Sequence, residues 1–187
     1  MPLFCGALAL QALSVAVFPF FRNQKTASAV SHLLLVAGLV FGFASTVLFL
    51  VHPRASSFPS GMPFAELFRF DALALFFLAV IQLVAIPVSV YSFGYMGHYI
   101  GKGKSVASTV AFYIFLLISV QLLVTANHAV FFLVCWEIMS TTAYLGMIFE
   151  KEKKEVQSGS FYYIVISHVS MYFLFVFFLL LHHASGS

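Results

Sequence analysis

Six apolar stretches, each long enough to cross a bilayer as a helix, constrain this chain more than any other feature. Hydrophobic residues make up 62% of the sequence and charged residues only 8%, a balance outside the range of water-soluble domains. A membrane helix needs about 20 apolar residues. The sequence therefore predicts an all-α, polytopic membrane bundle in a single membrane domain, 1–187. The predicted spans are residues 2–21, 32–52, 71–91, 106–126, 128–149 and 160–181.

The nine lysines and arginines lie between or beside the predicted spans, and their distribution predicts an orientation. Two of them, Arg54 and Arg69, belong to the second loop, and the fourth loop has none. The other seven are in the first, third and fifth loops: Arg22, Lys25, Lys102, Lys104, Lys151, Lys153 and Lys154. Because cytoplasmic loops carry an excess of basic residues, both termini are predicted to face away from the cytoplasm.

Glu137 is the one acidic residue inside a predicted span, and it is the first candidate for chemistry. It lies near the middle of the fifth span, where a charged side chain costs about 2.5–3.5 kcal/mol on insertion scales. Such a residue normally has a partner or a function. Since no lysine or arginine lies inside a span, the sequence predicts no cationic partner for Glu137 within this chain. A purely structural carboxyl, hydrogen-bonded to a neighbouring helix, is the alternative.

Three hydroxyl-bearing residues lie at helical spacing from Glu137 and are candidates for a polar lining. Ser140 and Thr141 are three and four residues further on, and Tyr144 is one turn beyond them. His168, inside the sixth span, is a candidate proton relay because imidazole exchanges protons near neutral pH. The alternative for His168 is a neutral ring bonded to a backbone carbonyl.

Two further features predict local structure. Gly38 and Gly42 have the spacing that lets two membrane helices approach closely, although glycines are also common in membrane helices without such a role. Asp71 is expected to cap the third helix, because a carboxylate suits the amino-terminal end.

The sequence predicts no cofactor, no metal site and no nucleic-acid partner. Cys5 and Cys135 both fall inside apolar spans, and no pair of histidines has a second set of ligands beside it. Walker, zinc-protease and dinucleotide-binding motifs are absent from the sequence. No residue pattern would hold an iron–sulfur cluster, flavin or quinone, so the chain is expected to carry out no redox chemistry itself.

Four short segments in a fixed order carry a family resemblance. They are FDALALFF at 70–77, YSFGYM at 91–96, TANH at 125–128 and WEIMS at 136–140. This set resembles the antiporter-like membrane subunits of respiratory complex I, multisubunit sodium/proton antiporters and membrane-bound hydrogenases. The sixth span, FYYIVISHV at 161–169, is more similar to hydrogenase-4 component B and formate hydrogenlyase subunit 3.

The resemblance implies a membrane subunit, or a fragment of one, of a proton-translocating hydrogenase or NADH dehydrogenase-type complex in the plasma membrane. Glu137 matches the family's fifth-helix glutamate, which lies on its proton path. The family has about fourteen core helices, and its seventh-helix lysine has no counterpart in these six spans. The implied partners are other membrane subunits, among them a second polypeptide supplying the remaining helices, together with the lipid bilayer.

Two other functions fit the same residues. A component of a multisubunit cation/proton antiporter would use Glu137 without a redox partner. A non-transporting scaffold or truncated remnant would only pack against larger subunits.

Overall fold

The computed structural model describes residues 2–52, 65–101, 105–150 and 154–185. Six helices within these ranges are long and apolar enough to cross a membrane, which confirms the predicted all-α bundle. They are α1 (Pro2–Ala16), α2 (Gln24–Val51), α3 (Ala72–Gly101), α4 (Ala107–Val124), α5 (Ala129–Met147) and α6 (Lys154–Ser185). The first reaches spanning length together with the 3₁₀ turn Phe18–Phe20 that follows it, over Leu3–Phe20. Arg54, Lys102, Lys104, Lys151 and Lys153, on which the predicted orientation depends, lie outside the described residues.

Three helices extend beyond the predicted spans. Helix α2 begins at Gln24 instead of at residue 32, α3 continues to Gly101 past the predicted end at 91, and α6 begins at Lys154. Hydropathy locates the part of a helix that fits the hydrocarbon core, whereas capping decides where the helix starts. The start of α2 is capped by the Asn23 side chain, which accepts a hydrogen bond from the backbone N–H of Lys25 at 3.0 Å.

Asp71 caps α3 as predicted. Its Oδ1 accepts a hydrogen bond from the backbone N–H of Ala74 at 2.8 Å. This bond satisfies one of the N–H groups that the first turn of a helix leaves without a partner.

The segment before α3 is joined to the short turn between α4 and α5. The Arg69 N–H donates to the Thr125 carbonyl at 2.8 Å, and the Asn127 N–H donates to the Leu67 carbonyl at 2.7 Å. The Asn127 side chain also donates to the Glu66 carbonyl at 3.1 Å. These bonds place residues 65–71 and the α4–α5 turn at the same end of the bundle.

The helices pack in two unequal groups. Helices α1 to α4 contact one another around a core that includes Leu35, Leu39, Val110 and Ile114. Helix α5 packs mainly on α4, and α6 packs on α5. Only Ser160 is buried among the described residues of α6, so most of that helix faces away from the bundle.

The Gly38 and Gly42 pair marks a close approach of helices. A methyl group added at Gly38 would lie 3.1 Å from the Ala7 carbonyl oxygen on α1. One added at Gly42 would lie 2.9 Å from the Gln82 amide nitrogen on α3 and 3.3 Å from the Ala7 Cβ. The close-packing interpretation of this glycine pair is therefore the correct one.

Next to Gly42, one polar side chain from each of the first four helices joins a buried hydrogen-bond network. Thr46 on α2 donates to the Gln82 carbonyl oxygen on α3 at 3.0 Å, and the Gln82 amide donates to Gln121 on α4 at 3.1 Å. The Gln121 amide donates to Gln11 on α1 at 2.8 Å. All four side chains are buried. We call Gln11, Thr46, Gln82 and Gln121 the amide network.

The amide network joins α1, α2, α3 and α4 by hydrogen bonds between their side chains. Apolar burial adds little between helices in lipid, because the lipid chains are equally apolar, so packing and interhelical hydrogen bonds matter more. Gln121 is central, since it contacts both Gln11 and Gln82 and its amide also donates to the Leu117 carbonyl at 3.0 Å.

The close approach at Gly42 predicts that Gly42→Ala will lower the thermal unfolding midpoint of the purified chain in detergent. The new methyl group must displace the Gln82 amide, which lies only 2.9 Å from its position. Gly94→Ala is the matched control on α3, where an added Cβ meets no atom within 4 Å. Equal midpoints for the two variants would contradict the proposed packing.

The amide network predicts that Gln121→Leu will lower the free energy of unfolding by about 1–3 kcal/mol, because Gln11 and Gln82 would each lose a partner. Denaturation in mixed micelles, followed by circular dichroism, would measure this change. Ser119→Ala is the control, because the Ser119 hydroxyl donates only to the Leu116 carbonyl of its own helix. A Gln121→Leu variant as stable as the Ser119→Ala control would rule out the network as a stabilising element.

Candidate functional site

The candidate site lies between α5 and α6, the two helices that pack outside the α1–α4 group. Helix α5 begins after His128, which has an extended backbone, and a 3₁₀ turn at Ile148–Glu150 follows its end. Glu137 is close to the middle of α5, as far as it can be from water at either end. Helix α6 runs antiparallel to α5, so its middle lies beside Glu137.

His168 on α6 is the partner of Glu137. Its Nε2 lies 2.7 Å from the Glu137 Oε1, a distance typical of a strong hydrogen bond or ion pair. The absence of lysine and arginine from the predicted spans left Glu137 without a predicted cationic partner, whereas the structure places an imidazole beside it. Both residues stand out in the sequence, but the sequence does not pair them, because their contact depends on how α5 and α6 are rotated against each other.

The other ring nitrogen of His168 fixes the proton arrangement of the pair. Nδ1 lies 2.8 Å from the carbonyl oxygen of Ile164, one turn earlier on α6. A carbonyl oxygen only accepts, so Nδ1 must carry a hydrogen. The short Nε2–Oε1 contact then requires one further proton between the two groups. Either a protonated carboxyl donates to a neutral ring, or an imidazolium donates to a carboxylate.

The second oxygen of Glu137 is unused. Among the residues that the structure describes, Oε2 is buried from solvent and has no hydrogen-bond partner. The indole nitrogen of the neighbouring Trp136 is also buried and has no hydrogen-bond partner among the described residues. The pair as a whole is nevertheless open on one side, with 35% of the Glu137 side chain and 39% of the His168 side chain exposed.

The hydroxyl residues predicted beside Glu137 do not bond to it. Ser140 is buried and donates to the Trp136 carbonyl of its own helix at 3.0 Å. Thr141 and Tyr144 are partly buried, and neither makes a side-chain hydrogen bond to Glu137 within the described parts of the chain. They share the α5–α6 region with the pair without contacting its oxygens.

A cavity of about 470 Å³ lies beyond the pair, towards the α5–α6 loop. It reaches Thr142 and Gly146 on α5 and Tyr163 on α6, and the hydroxyl-bearing Tyr91 and Tyr95 on α3 line its other side. Thr109 and Tyr113 on α4 also line the cavity, which therefore brings together polar groups from four helices.

A second polar site, which the sequence did not predict, surrounds His32, the residue at the predicted start of the second span. His32 lies well inside α2 and is buried. Its Nδ1 contacts the Ser28 carbonyl at 2.8 Å, and its Nε2 lies 3.3 Å from the Ser92 hydroxyl on α3. The polar spacing of Ser28 and His32 on one face of α2 was the available signal. As for metal binding, the described residues contain no cluster of three or more His, Cys, Asp or Glu side chains.

These features define a multi-pass membrane protein with an acid–base pair held near the middle of two adjacent helices. Residues 59–104, which include α3, match the family profile for the N-terminus of chain 5 of NADH-ubiquinone oxidoreductase (complex I). The chain is 36% identical over 127 residues to hydrogenase-4 component B of Escherichia coli strain K12. That alignment covers 66% of this chain and 18% of the relative.

A second relative, named "Putative antiporter subunit mnhA2", comes from Staphylococcus saprophyticus. It is 31% identical over 96 residues, which cover 50% of this chain and 11% of the relative. The chain thus spans less than a fifth of the length of either relative. These matches confirm the resemblance to the antiporter-like subunits of complex I, the multisubunit antiporters and the hydrogenases. No solved structure matches the chain.

The proton arrangement predicts that Nδ1 of His168 carries a hydrogen in both states of the pair. Nitrogen NMR of the chain with ¹⁵N-labelled histidine in lipid would measure this, and the His168→Gln variant would identify the signal among the seven histidines. Glu137→Gln should shift the Nε2 signal and leave Nδ1 protonated. A ring protonated on Nε2 alone would contradict this geometry.

Proposed function

We propose that this chain is a membrane subunit, or part of one, of a proton-translocating hydrogenase or NADH dehydrogenase-type complex. In this proposal Glu137 and His168 together form one station of its proton path. The 2.7 Å contact between Glu137 Oε1 and His168 Nε2 in mid-membrane is the observation that carries the proposal. Both side chains exchange protons, and ionisable groups at this depth are functional by default.

The pair suits proton transfer because a single proton can be held between two side chains, each of which is able to accept it. A proton delivered to Oε2 of Glu137, which is buried and has no partner among the described residues, would release the shared proton to His168 and leave the pair with one positive charge. In a medium of low dielectric constant that charge is unfavourable, so the pair would pass a proton on. A cationic group that a partner brings near Oε2 would instead stabilise the carboxylate of Glu137. The pair would then release its shared proton.

The proposal includes further membrane subunits as partners, with a second polypeptide supplying helices beside α5 and α6. About a third of each side chain of the pair is open in this chain, which supports a neighbour that would close the site from lipid. The names of the relatives, a hydrogenase component and an antiporter subunit, support membership of a larger assembly. The proposed location is the plasma membrane, with both termini away from the cytoplasm, on the basis of the basic loops.

A component of a cation/proton antiporter is the second candidate. The similarity to the antiporter subunit of Staphylococcus saprophyticus favours it. The same Glu137–His168 pair would then exchange protons for a cation without a redox partner. The two functions differ in what drives proton movement, so one assay can separate them.

The proposal predicts that Glu137→Gln will lower proton movement by at least about tenfold, because an amide cannot take up and release a proton at the pair. The assay uses inside-out vesicles from cells in which the variant replaces the natural chain. Acidification of the vesicle interior is followed with a pH-sensitive dye. Acidification that requires an electron donor supports the oxidoreductase complex, whereas a response to added sodium alone supports the antiporter.

Glu155→Gln is the matched control, since Glu155 is an exposed carboxylate at the start of α6, and it should leave the rate unchanged. His168→Gln should reduce the rate, because the glutamine cannot accept the proton that Glu137 releases. If the Glu137→Gln chain still assembles with its partner subunits and proton movement is unchanged, the proposal is wrong. The non-transporting scaffold would then be the explanation.

A further inference from the structure

A groove of about 440 Å³ runs along the outer surface of the bundle between α2 and α3. Its walls are apolar and include Ala29, Leu33 and Val36 on α2, with Val90 and Phe93 on α3. Because Leu33 is 71% exposed and Val90 is 58% exposed, the groove is open on its outer side. We call it the α2–α3 groove. It opens sideways, towards whatever surrounds these two helices within the membrane.

The two polar side chains that line the groove are buried and already bonded within the bundle. A carbonyl oxygen only accepts, so the His32 Nδ1 donates to the Ser28 carbonyl at 2.8 Å. In the neutral ring, Nε2 then accepts from the Ser92 hydroxyl at 3.3 Å. The Ser89 hydroxyl is bonded to the Tyr113 hydroxyl at 3.0 Å. This lining suits an apolar chain, because a polar ligand would give up hydrogen bonds to water without regaining them.

A cation lies above the groove, at the start of α2. Lys25 is exposed and precedes Ala29 by four residues, so it lies on the same face of the helix, about 6 Å nearer the end. Within the described parts of the chain, its ammonium group has no carboxylate at ion-pair distance. Arg22, which is also exposed, adds a second positive charge just before the helix. An apolar groove therefore ends beneath a positive charge.

The length of α2 places Lys25 at the level of the lipid headgroups. The helix has 28 residues and is about 42 Å long, whereas the hydrocarbon core of a bilayer is about 30 Å thick. The ends of α2 therefore extend beyond the hydrocarbon. From Ala29 to Val36 the groove covers about 10 Å along the helix axis, which fits within one leaflet.

We propose that the α2–α3 groove binds an acyl chain of an anionic phospholipid whose headgroup phosphate pairs with Lys25. The acyl chain matches the apolar walls, and the negative headgroup matches the ammonium group above them. One basic residue near the membrane surface should favour an anionic over a zwitterionic lipid by about fivefold. The inference does not depend on the proposed function. A partner helix lying in the groove is the competing outcome, and it would exclude lipid.

Quenching of tryptophan fluorescence by brominated lipid tests what occupies the groove. The full chain is reconstituted in vesicles of phosphatidylcholine and phosphatidylglycerol, with bromine on the acyl chains of one lipid or the other. The single natural tryptophan, Trp136, is replaced by phenylalanine, and Leu33→Trp introduces a reporter in the groove. Ile166→Trp is the matched reporter, because Ile166 is 63% exposed on α6 and does not line the groove.

The expected result is a lipid preference that only the groove reporter detects. The relative binding constant for phosphatidylglycerol over phosphatidylcholine should be about five at Leu33→Trp and about one at Ile166→Trp. Adding Lys25→Ala should lower the value at Leu33→Trp towards one, whereas Lys25→Arg should preserve it. Lys154→Ala is the control, since it removes the same charge from an exposed position at the start of α6 and should change nothing.

Filling the groove provides a second measurement that changes no charge. Ala29→Phe occupies the upper part of the groove and should lower the preference for phosphatidylglycerol at Leu33→Trp several-fold. An undiminished preference in this variant would place the lipid elsewhere and overturn the proposal. Equal binding of the two lipids at Leu33→Trp, or a preference that survives Lys25→Ala, would also overturn it. Quenching by neither lipid would mean that protein covers the groove, which contradicts the proposal as well.

Discussion

The requirement that every polar group inside the hydrocarbon core finds a partner is the constraint on which this structure depends. Backbone groups meet it by forming helices, and buried side chains meet it across helices. The amide network is the clearest case, because one residue from each of α1, α2, α3 and α4 contributes to it. Since Gly42 leaves room for the Gln82 amide, the close contact of helices and the hydrogen bonding at this point depend on each other.

The same constraint separates the stable part of the bundle from its candidate functional part. The amide network of the α1–α4 group consists of neutral amide and hydroxyl side chains that use one another as donors and acceptors, so its hydrogen bonds involve no group that gains or loses a proton near neutral pH. The α5–α6 contact instead pairs two groups that gain and lose protons, and it leaves the Glu137 Oε2 without a described partner. The α1–α4 group therefore contains fixed hydrogen bonds, and the α5–α6 contact contains protons that can be exchanged. This division suits a protein that moves protons beside a rigid group of helices.

The position of the Glu137–His168 pair gives the proposed function its physical basis. The pair lies between a cavity lined by His128 and His182 at one end of the bundle and the larger tyrosine-lined cavity towards the other. Helix α6 carries half of the pair and is also the least covered helix, since Ser160 is its only buried residue among those described. A partner that packs on α6 would therefore change the surroundings of His168 directly. In this way a neighbouring subunit could influence proton binding without contacting α1–α4.

The sequence by itself determined the six helices, the position of Glu137 near the middle of the fifth helix and the Asp71 cap. Each of these follows from local hydropathy or local capping chemistry. Only the tertiary structure decided which polar residues meet. Helical spacing places Glu137, Ser140 and Tyr144 on one side of α5, but the rotation of α5 against α6 selects His168 as the partner. The amide network was unpredictable for the same reason: its glutamines are far apart in the chain, and only packing brings their side chains together.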